Sequence, residues 1–286
     1  MLRILGTIFA ALLGLAFGSF LNVCLSRWPA DESIVFPHSH CRTCHRTLMW
    51  WENIPLFSWI ALRGRCRTCR ALIGWRYTLV EGSLGVLWAF CAWRALPDNP
   101  DPGAAISFSA PILLAGLGLA TLLWLLVALA VLDAENLWLP DFLTLPGIGL
   151  GLLFRTLERI LGNHYFRPPP LGVILLNVEY ILAAAGIILL IRGVYWLIRR
   201  KEGIGLGDAK LMAMLAAWLG FPGTVLAFFL GVIIGALVAV AIILTPSAKQ
   251  TATMKLPLGT FLCIGGIVSA LWGQSILSIY LRWAGF

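Results

Sequence analysis

Four of the seven cysteines in this chain form two Cys-x-x-Cys pairs, a spacing typical of metal ligands. Cys41 and Cys44 make the first pair, and Cys66 and Cys69 make the second, with 21 residues between the pairs. Together they can supply four thiolates to one tetrahedral zinc ion. The polar segment 27–76 is too short to build a core without such a link. We therefore predict a structural zinc site, with two disulfides or a redox pair as the alternatives.

The remaining cysteines and the nearby histidines have simpler explanations. Four cysteines already complete a tetrahedral shell, so we expect the neighbouring histidines to be bystanders: His38, His40 and His45. Three further cysteines lie in apolar stretches, where a free cysteine usually behaves as a small buried hydrophobic residue: Cys24, Cys91 and Cys263. Neither group indicates a catalytic nucleophile.

Acidic residues at the ends of apolar stretches point to a second kind of chemistry. The segment ALAVLDAENLWLPD (128–141) carries Asp133, and KEGIGLGDAKL (201–211) carries Asp208. Ionisable groups beside or within membrane spans are costly, which makes them candidate functional residues. Asp133 stands at the C-terminal end of a predicted helix, where the helix dipole disfavours a negative charge, so capping of that helix does not explain it. Asp208 and Asp141 each also suit a helix N-cap, and that structural role stays an alternative.

Two predicted spans separate Asp133 from Asp208, so both carboxyl groups return to the same membrane face. Two carboxyl groups at close range do not both ionise readily, so one keeps a proton while the other activates water. The ionised member takes a proton from the attacking water, and the protonated member donates to the oxyanion and later to the leaving amine. We assign neither role to one residue, because such a pair titrates as a unit. Gly205 and Gly207 lack Cβ atoms, which would let an extended peptide approach.

The chain that must position these groups is a membrane protein by composition. Of its 286 residues 60% are hydrophobic and 12% are charged, with a mean hydropathy of +0.90, which excludes an ordinary soluble domain. Apolar stretches of about 20 residues recur, which predicts an all-α polytopic bundle, since a β-barrel would alternate. We place about eight transmembrane helices near 4–26, 77–96, 111–132, 141–161, 172–198, 208–221, 224–244 and 257–281.

The only sizeable polar insertion divides the predicted chain into three parts. Residues 1–26 form the first transmembrane helix, 27–76 form a small four-cysteine zinc module between helices 1 and 2, and 77–286 form a membrane-embedded aspartic peptidase domain. No internal repeat is apparent. The stretch 208–221 is short for a full crossing.

The distribution of basic residues predicts the orientation in the membrane. Although the net charge is +8, its placement in a membrane protein indicates topology and not nucleic-acid binding. Eight arginines lie within 27–76, and residues 97–110 contain no lysine or arginine. By the positive-inside rule, the module lies in the cytoplasm and the N-terminus lies outside. A cytoplasmic, reducing location disfavours disulfides in the module.

In these motifs and their order the sequence resembles the prepilin leader peptidase/N-methyltransferase family of type IV pilus and type II secretion systems, aspartic peptidases of the Gly-x-Gly-Asp class. The similarity covers nearly the whole chain. It rests on four segments: GSFLNVCLSRWP (18–29), CRTCHRTLMWWENIPLFSWIALRGRCRTC (41–69), the segment from Asp133 to Asp141, and KEGIGLGDAKL (201–211).

The resemblance implies an endopeptidase of the bacterial inner membrane that removes the short basic leader of prepilins and pseudopilins after a glycine, on the cytoplasmic side. The catalytic pair falls on Asp133 and Asp208. The resemblance also implies methylation of the new N-terminal residue with S-adenosylmethionine, an activity linked to the cysteine module. The residues themselves show no glycine-rich fingerprint of a soluble cofactor-binding fold. We expect substrate and lipid as partners and no nucleic acid.

The chain departs from the family pattern at three places. YTLVEG (77–82) stands where the family usually has Tyr-Pro-Leu-Val-Glu, PLGTF (257–261) stands where it has Pro-Phe-Gly-Pro-Tyr, and Glu135 stands where aspartate is common. Glu81 is a further candidate functional acid, which we do not place in the site. The competing hypotheses within enzymes are a peptidase without methyl transfer and a more distant Gly-x-Gly-Asp protease that cuts other membrane substrates. Those from other classes are a proton-coupled transporter or channel that uses the same acids, and a scaffold that docks pilus-assembly partners through its zinc module.

Overall fold

A computed structural model describes residues 1–96, 110–162, 169–200, 205–244 and 256–285. The regular elements in these residues are all helices. The helices are α1 (Leu2–Arg27), α2 (Phe57–Ala61), α3 (Arg76–Ala95), α4 (Ala110–Asn136), α5 (Asp141–Gly162), α6 (Pro170–Arg199), α7 (Leu206–Ile243) and α8 (Leu258–Trp283). Short 3₁₀ turns occupy Trp28–Ala30 and Trp50–Asn53. The all-α prediction is confirmed for these residues.

Five of these helices are long and apolar enough to cross a membrane: α1, α4, α6, α7 and α8. The protein is therefore a multi-pass membrane protein. Helices α3 and α5 occupy predicted spans, but they are shorter, with 20 and 22 residues. The predicted number of eight crossings is not confirmed. Most of the polar loop predicted at 97–110 lies outside the described residues, as do Lys201–Ile204 and 245–255.

Helix α7 is broken near its middle. Gly220 has φ 68° and ψ 177°, which no helical residue adopts, and Pro222 follows two residues later. A straight helix of 38 residues would be about 57 Å long, nearly twice the hydrocarbon thickness of a bilayer. The break lies close to the boundary predicted between the stretches 208–221 and 224–244.

The two halves of α7 run in opposite directions along α8. In the first half, Leu215 packs against Gly266, and Asp208 lies nearer the start of α8. In the second half the order is reversed. The contacts there pair Gly223 with Ser269, Ala227 with Gly265, and Gly231 with Leu262. The chain therefore folds back at Gly220 and returns to the end from which α7 started.

The contacts divide the chain into two compact units. The first, Met1–Ser107, is built by α1 and α3 with the cysteine module between them in sequence. In this unit Gly14 and Gly18 let α1 approach α3 closely, because a Cβ on Gly14 would lie 2.5 Å from the carbonyl oxygen of Leu84. The functional division into residues 1–26, 27–76 and 77–286 stays a prediction.

The second unit, Phe108–Phe286, is arranged around α7. Helices α5, α6 and α8 all pack against α7, and α4 packs against α5 and α8. Residues 211–217 are all buried, which fits a helix that is apolar on every side. This arrangement fixes the ends of α4, α7 and α8, where the candidate acids lie.

Candidate active site

Asp133 lies in the last turn of α4, and its side chain is only 5% exposed. The backbone N–H of Thr260 donates to its Oδ2 atom at 2.7 Å, and the Thr260 hydroxyl lies 3.2 Å from the same oxygen. Thr260 is in the first turn of α8, where backbone N–H groups have no partner within the helix. Asp133 therefore caps a neighbouring helix, a structural role that reasoning about its own helix did not find.

Asp208 lies in the first turn of α7, and it is 9% exposed. Its Oδ2 atom accepts a hydrogen bond from the backbone N–H of Gly205 at 3.1 Å. Asp208 thus also satisfies a free N–H group at the start of its own helix. This capping interaction is close to the N-cap role predicted for it as an alternative.

The structure brings the two carboxyl groups together. Asp133 and Asp208 are near enough for their charges to interact. Leu139 packs against both neighbouring segments, because a Cβ on Gly207 would lie 3.0 Å from its Cβ and a Cβ on Gly259 would lie 2.9 Å from its Cδ1. The contact with Leu139 also gives Gly207 a packing reason to lack a side chain. Gly205 is exposed, and a Cβ there would lie 3.4 Å from Oδ2 of Asp208, an ordinary contact distance.

Two further residues share the surroundings of this pair. The thiol of Cys263 is completely buried and interacts electrostatically with both carboxyl groups. Asp141 is instead an exposed residue whose Oδ1 atom forms an ion pair with the ammonium group of Lys210 at 2.5 Å. From the sequence we predict only that Cys263 is a buried hydrophobic residue. Nothing local in the sequence connects it to the two acids, which lie about 55 and 130 positions away along the chain.

The four cysteines of the module lie together. Their Sγ atoms are all within 4.8 Å of one another, and the Sγ atoms of Cys41 and Cys69 are 3.7 Å apart. Four thiolates bound to one zinc ion in a tetrahedron would be about 3.8 Å apart, from Zn–S bonds of about 2.3 Å. The donor set and its spacing fit a single zinc ion. All seven cysteines are free thiols in the structure.

The two Cys-x-x-Cys turns have the same backbone structure. The N–H of Cys41 donates to the carbonyl of Arg46, and the N–H of Cys66 donates to that of Ala71, both at 2.9 Å. His40 pairs with Thr47 as Arg65 pairs with Leu72. The first turn starts at Cys41 and the second at Cys66, so equivalent positions in the two turns are 25 residues apart. The similarity is confined to these two short turns.

Backbone N–H groups prepare the cysteines for metal binding. Hydrogen bonds from the N–H groups of Cys69 and Thr68 lower the pKa of the Cys66 thiol to about 6. A hydrogen bond from the N–H of Cys44 likewise lowers the pKa of Cys41. In contrast, burial and the neighbouring thiols raise the pKa of Cys69 to about 11. The turn geometry therefore favours the thiolate, the form that binds zinc, at Cys41 and Cys66.

A buried ion pair supports the module beside the cysteines. The guanidinium of Arg46 binds Oε1 of Glu52 at 2.7 Å, and the backbone N–H of Met49 binds Oε2 at 2.8 Å. The hydrogen bond from Arg46 lowers the pKa of Glu52 below its usual value. A carboxyl group with a lowered pKa stabilises the folded state above its ordinary pKa, and that contribution is lost as the pH falls.

The histidines next to the first pair lie outside this cluster. His40 and His45 stack on each other with ring centroids 6.1 Å apart, and His38 packs edge-on against Phe36. None of them belongs to the group of metal-ligating side chains in the described part of the chain.

The fold and these sites define a multi-pass membrane protein with two aspartates brought together at helix ends and a four-cysteine module. The chain belongs to the type IV leader peptidase family. A sequence model of that family matches residues 120–240, and one of the bacterial peptidase A24 N-terminal domain matches residues 12–95. Both the predicted family and the assignment to the leader-peptidase class of enzymes are confirmed.

Relatives similar to this chain over nearly its whole length are named prepilin leader peptidase/N-methyltransferase. The relative from Stutzerimonas stutzeri is 33% identical, and the one from Pseudomonas aeruginosa is 34% identical; each alignment covers 96% of this chain and 93% of the relative. A relative from Burkholderia pseudomallei is 35% identical over 93% of this chain and 85% of its own length. No solved structure matches the chain significantly.

Proposed function

We propose that this protein removes the basic leader of prepilins and pseudopilins after a glycine, at the cytoplasmic face of the bacterial inner membrane, and then methylates the new N-terminus. The observation that carries the proposal is the approach of two buried carboxyl groups, Asp133 and Asp208, at the ends of helices that are far apart in sequence. Family membership and the names of the relatives support the choice of substrate.

The two acids would cleave the peptide bond through an activated water molecule. The ionised carboxylate takes a proton from the water as its oxygen attacks the scissile carbonyl, and the protonated partner donates to the developing oxyanion. The same pair then returns a proton to the leaving amine. Gly205 and Gly207 leave the backbone before Asp208 without Cβ atoms, which supports the approach of an extended substrate.

The first test is leader cleavage by the purified full-length protein with a synthetic prepilin. We expect Asp133→Asn and Asp208→Asn each to lower the rate by about a thousandfold or more, because each removes a group that handles protons. Asp141→Asn is the matched control, since Asp141 is an exposed acid in an ion pair. Cleavage near the wild-type rate in either active-site variant would refute the paired mechanism.

Methyl transfer is proposed from the resemblance and from the relatives' names. The neutral amine of the cleaved substrate would take the methyl group from the sulfonium of S-adenosylmethionine, which would release S-adenosylhomocysteine and a proton. Incubation of labelled S-adenosylmethionine with the substrate tests this half of the proposal directly. Label must appear on the mature N-terminus, and its absence would leave a peptidase alone.

Zinc is the proposed ligand of the four cysteines. When bound, it would link the two turns and hold the module together. We expect about one zinc per chain by metal analysis, and its loss in Cys41→Ser or Cys66→Ser. Cys91→Ser is the control, because Cys91 lies on α3 and outside the cluster. Full zinc content in both ligand variants would contradict the assignment.

We also propose that the chain crosses the membrane eight times, with the N-terminus outside and the cysteine module in the cytoplasm. The excess of arginine in 27–76 supports the orientation. The reversal of α7 at Gly220 supports counting that helix as two segments.

A further inference from the structure

A buried carboxyl group in the first unit has no role in the chemistry described above. Glu81 lies near the start of α3, and only 9% of it is exposed. The backbone N–H of Leu56 donates to its Oε2 atom at 2.9 Å, and the side chains of Ser19 and Asn22 lie close enough to interact with it. Within the described part of the chain these partners are all neutral, so no cation balances this carboxylate.

Asn22 adds an acceptor that lacks a donor. The residue is 2% exposed, and its Nδ2 group donates to the carbonyl of Tyr77 at 2.9 Å. Its Oδ1 atom is buried and has no hydrogen-bond partner among the described residues. Buried polar atoms are almost always paired, so an unpaired oxygen next to a buried carboxylate indicates a place for a donor.

Close packing of α1 against α3 builds this cluster. A Cβ on Gly18 would lie only 2.7 Å from the Cα of Glu81, so the two backbones touch at this point. Ser19 and Asn22 are three residues apart on α1 and therefore lie on one face of the helix. The segment GSFLN thus places a hydroxyl and an amide against the same carboxylate.

We propose that Glu81, Asn22 and Ser19 bind an α-ammonium group. The carboxylate of Glu81, the Oδ1 atom of Asn22 and the hydroxyl oxygen of Ser19 can accept the three N–H bonds of such a cation. Its charge would balance the buried carboxylate. A hard divalent metal ion fits less well, because it requires six or more ligands and the cluster offers side-chain oxygens from only three residues.

This inference rests on the proposed methyl transfer, which involves two α-amino groups that are ammonium ions when protonated; the N-terminus must lose one proton before it accepts the methyl group. One is the new N-terminus of the cleaved substrate, and the other is the amino group of S-adenosylmethionine. Both offer the same three N–H donors, so the geometry alone selects the chemical group, and the experiment has one arm for each source.

The first experiment compares Glu81→Gln with the wild-type full-length protein. Glutamine has the same shape and can still accept the N–H of Leu56, but it removes the charge. We expect KM for one of the two amine-bearing ligands in methylation to rise about tenfold or more, since charge-assisted hydrogen bonds are lost. Leader cleavage and zinc content should stay within about twofold of the wild type. Ser83→Ala on the same helix is the control, because the Ser83 hydroxyl donates only to the nearby carbonyl of Val80.

The second experiment uses only the wild-type protein, so it does not depend on the folding of a variant. Binding is measured for the cleaved peptide with a free or an acetylated N-terminus, and for S-adenosylhomocysteine with a free or an acetylated amine. We expect acetylation to weaken binding about tenfold for the ligand whose amine occupies the site.

The proposal is overturned if neither acetylation weakens binding, or if Glu81→Gln leaves both KM values unchanged. It is also overturned if Glu81→Gln loses zinc and both activities together, which would show a purely structural role. A wild-type protein that cleaves but never methylates would instead refute the proposed methyl transfer, and the binding arms would still test the ammonium site.

Discussion

Thr260 is the closest polar neighbour that the structure gives to Asp133, and it stands where the family usually has proline. Proline has no N–H group and no hydroxyl, so it could not make either of the hydrogen bonds that Thr260 makes with Oδ2. The Thr260 hydroxyl is also 2.9 Å from the carbonyl of Ala130. In this chain the start of α8 therefore orients the Asp133 carboxyl group directly.

Thr260→Val tests this positioning role, because valine keeps the shape and the backbone N–H but removes the hydroxyl. A hydrogen bond to a charged group contributes about 1.5–3 kcal/mol, and this one is shared with a carbonyl, so we expect leader cleavage to slow about three- to tenfold. The measurement is the initial rate of leader release. Thr121→Val is the control, since its hydroxyl binds the Leu117 carbonyl within α4. An unchanged rate would show that the backbone N–H alone orients Asp133.

At the scale of elements, glycines set the distance between helices. A Cβ on Gly265 would lie 2.2 Å from the carbonyl oxygen of Ala227, and one on Gly231 would lie 2.9 Å from that of Phe261. Small residues allow helix backbones to touch in membrane proteins, where lipid offers little hydrophobic drive for association. The second half of α7 and helix α8 are therefore held at a spacing that no larger side chain permits.

Gly265→Ala should consequently destabilise the second unit. Overpacking of a tight contact costs about 1–3 kcal/mol, because the neighbouring backbone must move. We expect a lower unfolding temperature in detergent, measured by circular dichroism. Gly186→Ala on α6 is the matched control, since nothing lies within 4 Å of a Cβ added there. Equal unfolding temperatures for the two variants would contradict the contact.

At the scale of the whole molecule, the reversal at Gly220 decides which helix ends meet. Because the second half of α7 returns toward its starting end, the chain can enter α8 near Asp208, and Asp133 can receive the N–H of Thr260. A single straight crossing by α7 would carry the start of α8 to the opposite face. The contact between the start of α8 and Asp133 thus depends on α7 crossing the membrane twice.

Epitope tags test this topology. With eight crossings and the N-terminus outside, a tag between residues 97 and 110 and a tag after Phe286 should both bind antibody on intact spheroplasts. A tag after Glu32, in the module, should bind only after permeabilisation, since it faces the cytoplasm. If the tag after Phe286 also requires permeabilisation, α7 crosses once and the even count is wrong.

The sequence alone determined the properties that depend on composition and on local spacing. Apolar stretches of sufficient length predicted the helices, because a backbone in lipid must satisfy its own hydrogen bonds. The two Cys-x-x-Cys pairs predicted a four-cysteine cluster, since a metal site needs a fixed number of ligands at short spacing. The segments around Asp133 and Asp208 indicated the family, and their catalytic roles remain predictions.

Only the tertiary structure decided which distant groups meet. Thr260 and Cys263 approach the aspartates, and Asn22 approaches Glu81. These approaches have no local signal in the sequence, because each depends on how separate segments pack. The reversal at Gly220 likewise requires the backbone angles themselves, since a glycine followed by proline also occurs where a helix simply ends. Two aspartates at helix ends became a candidate pair through the packing of α4, α7 and α8.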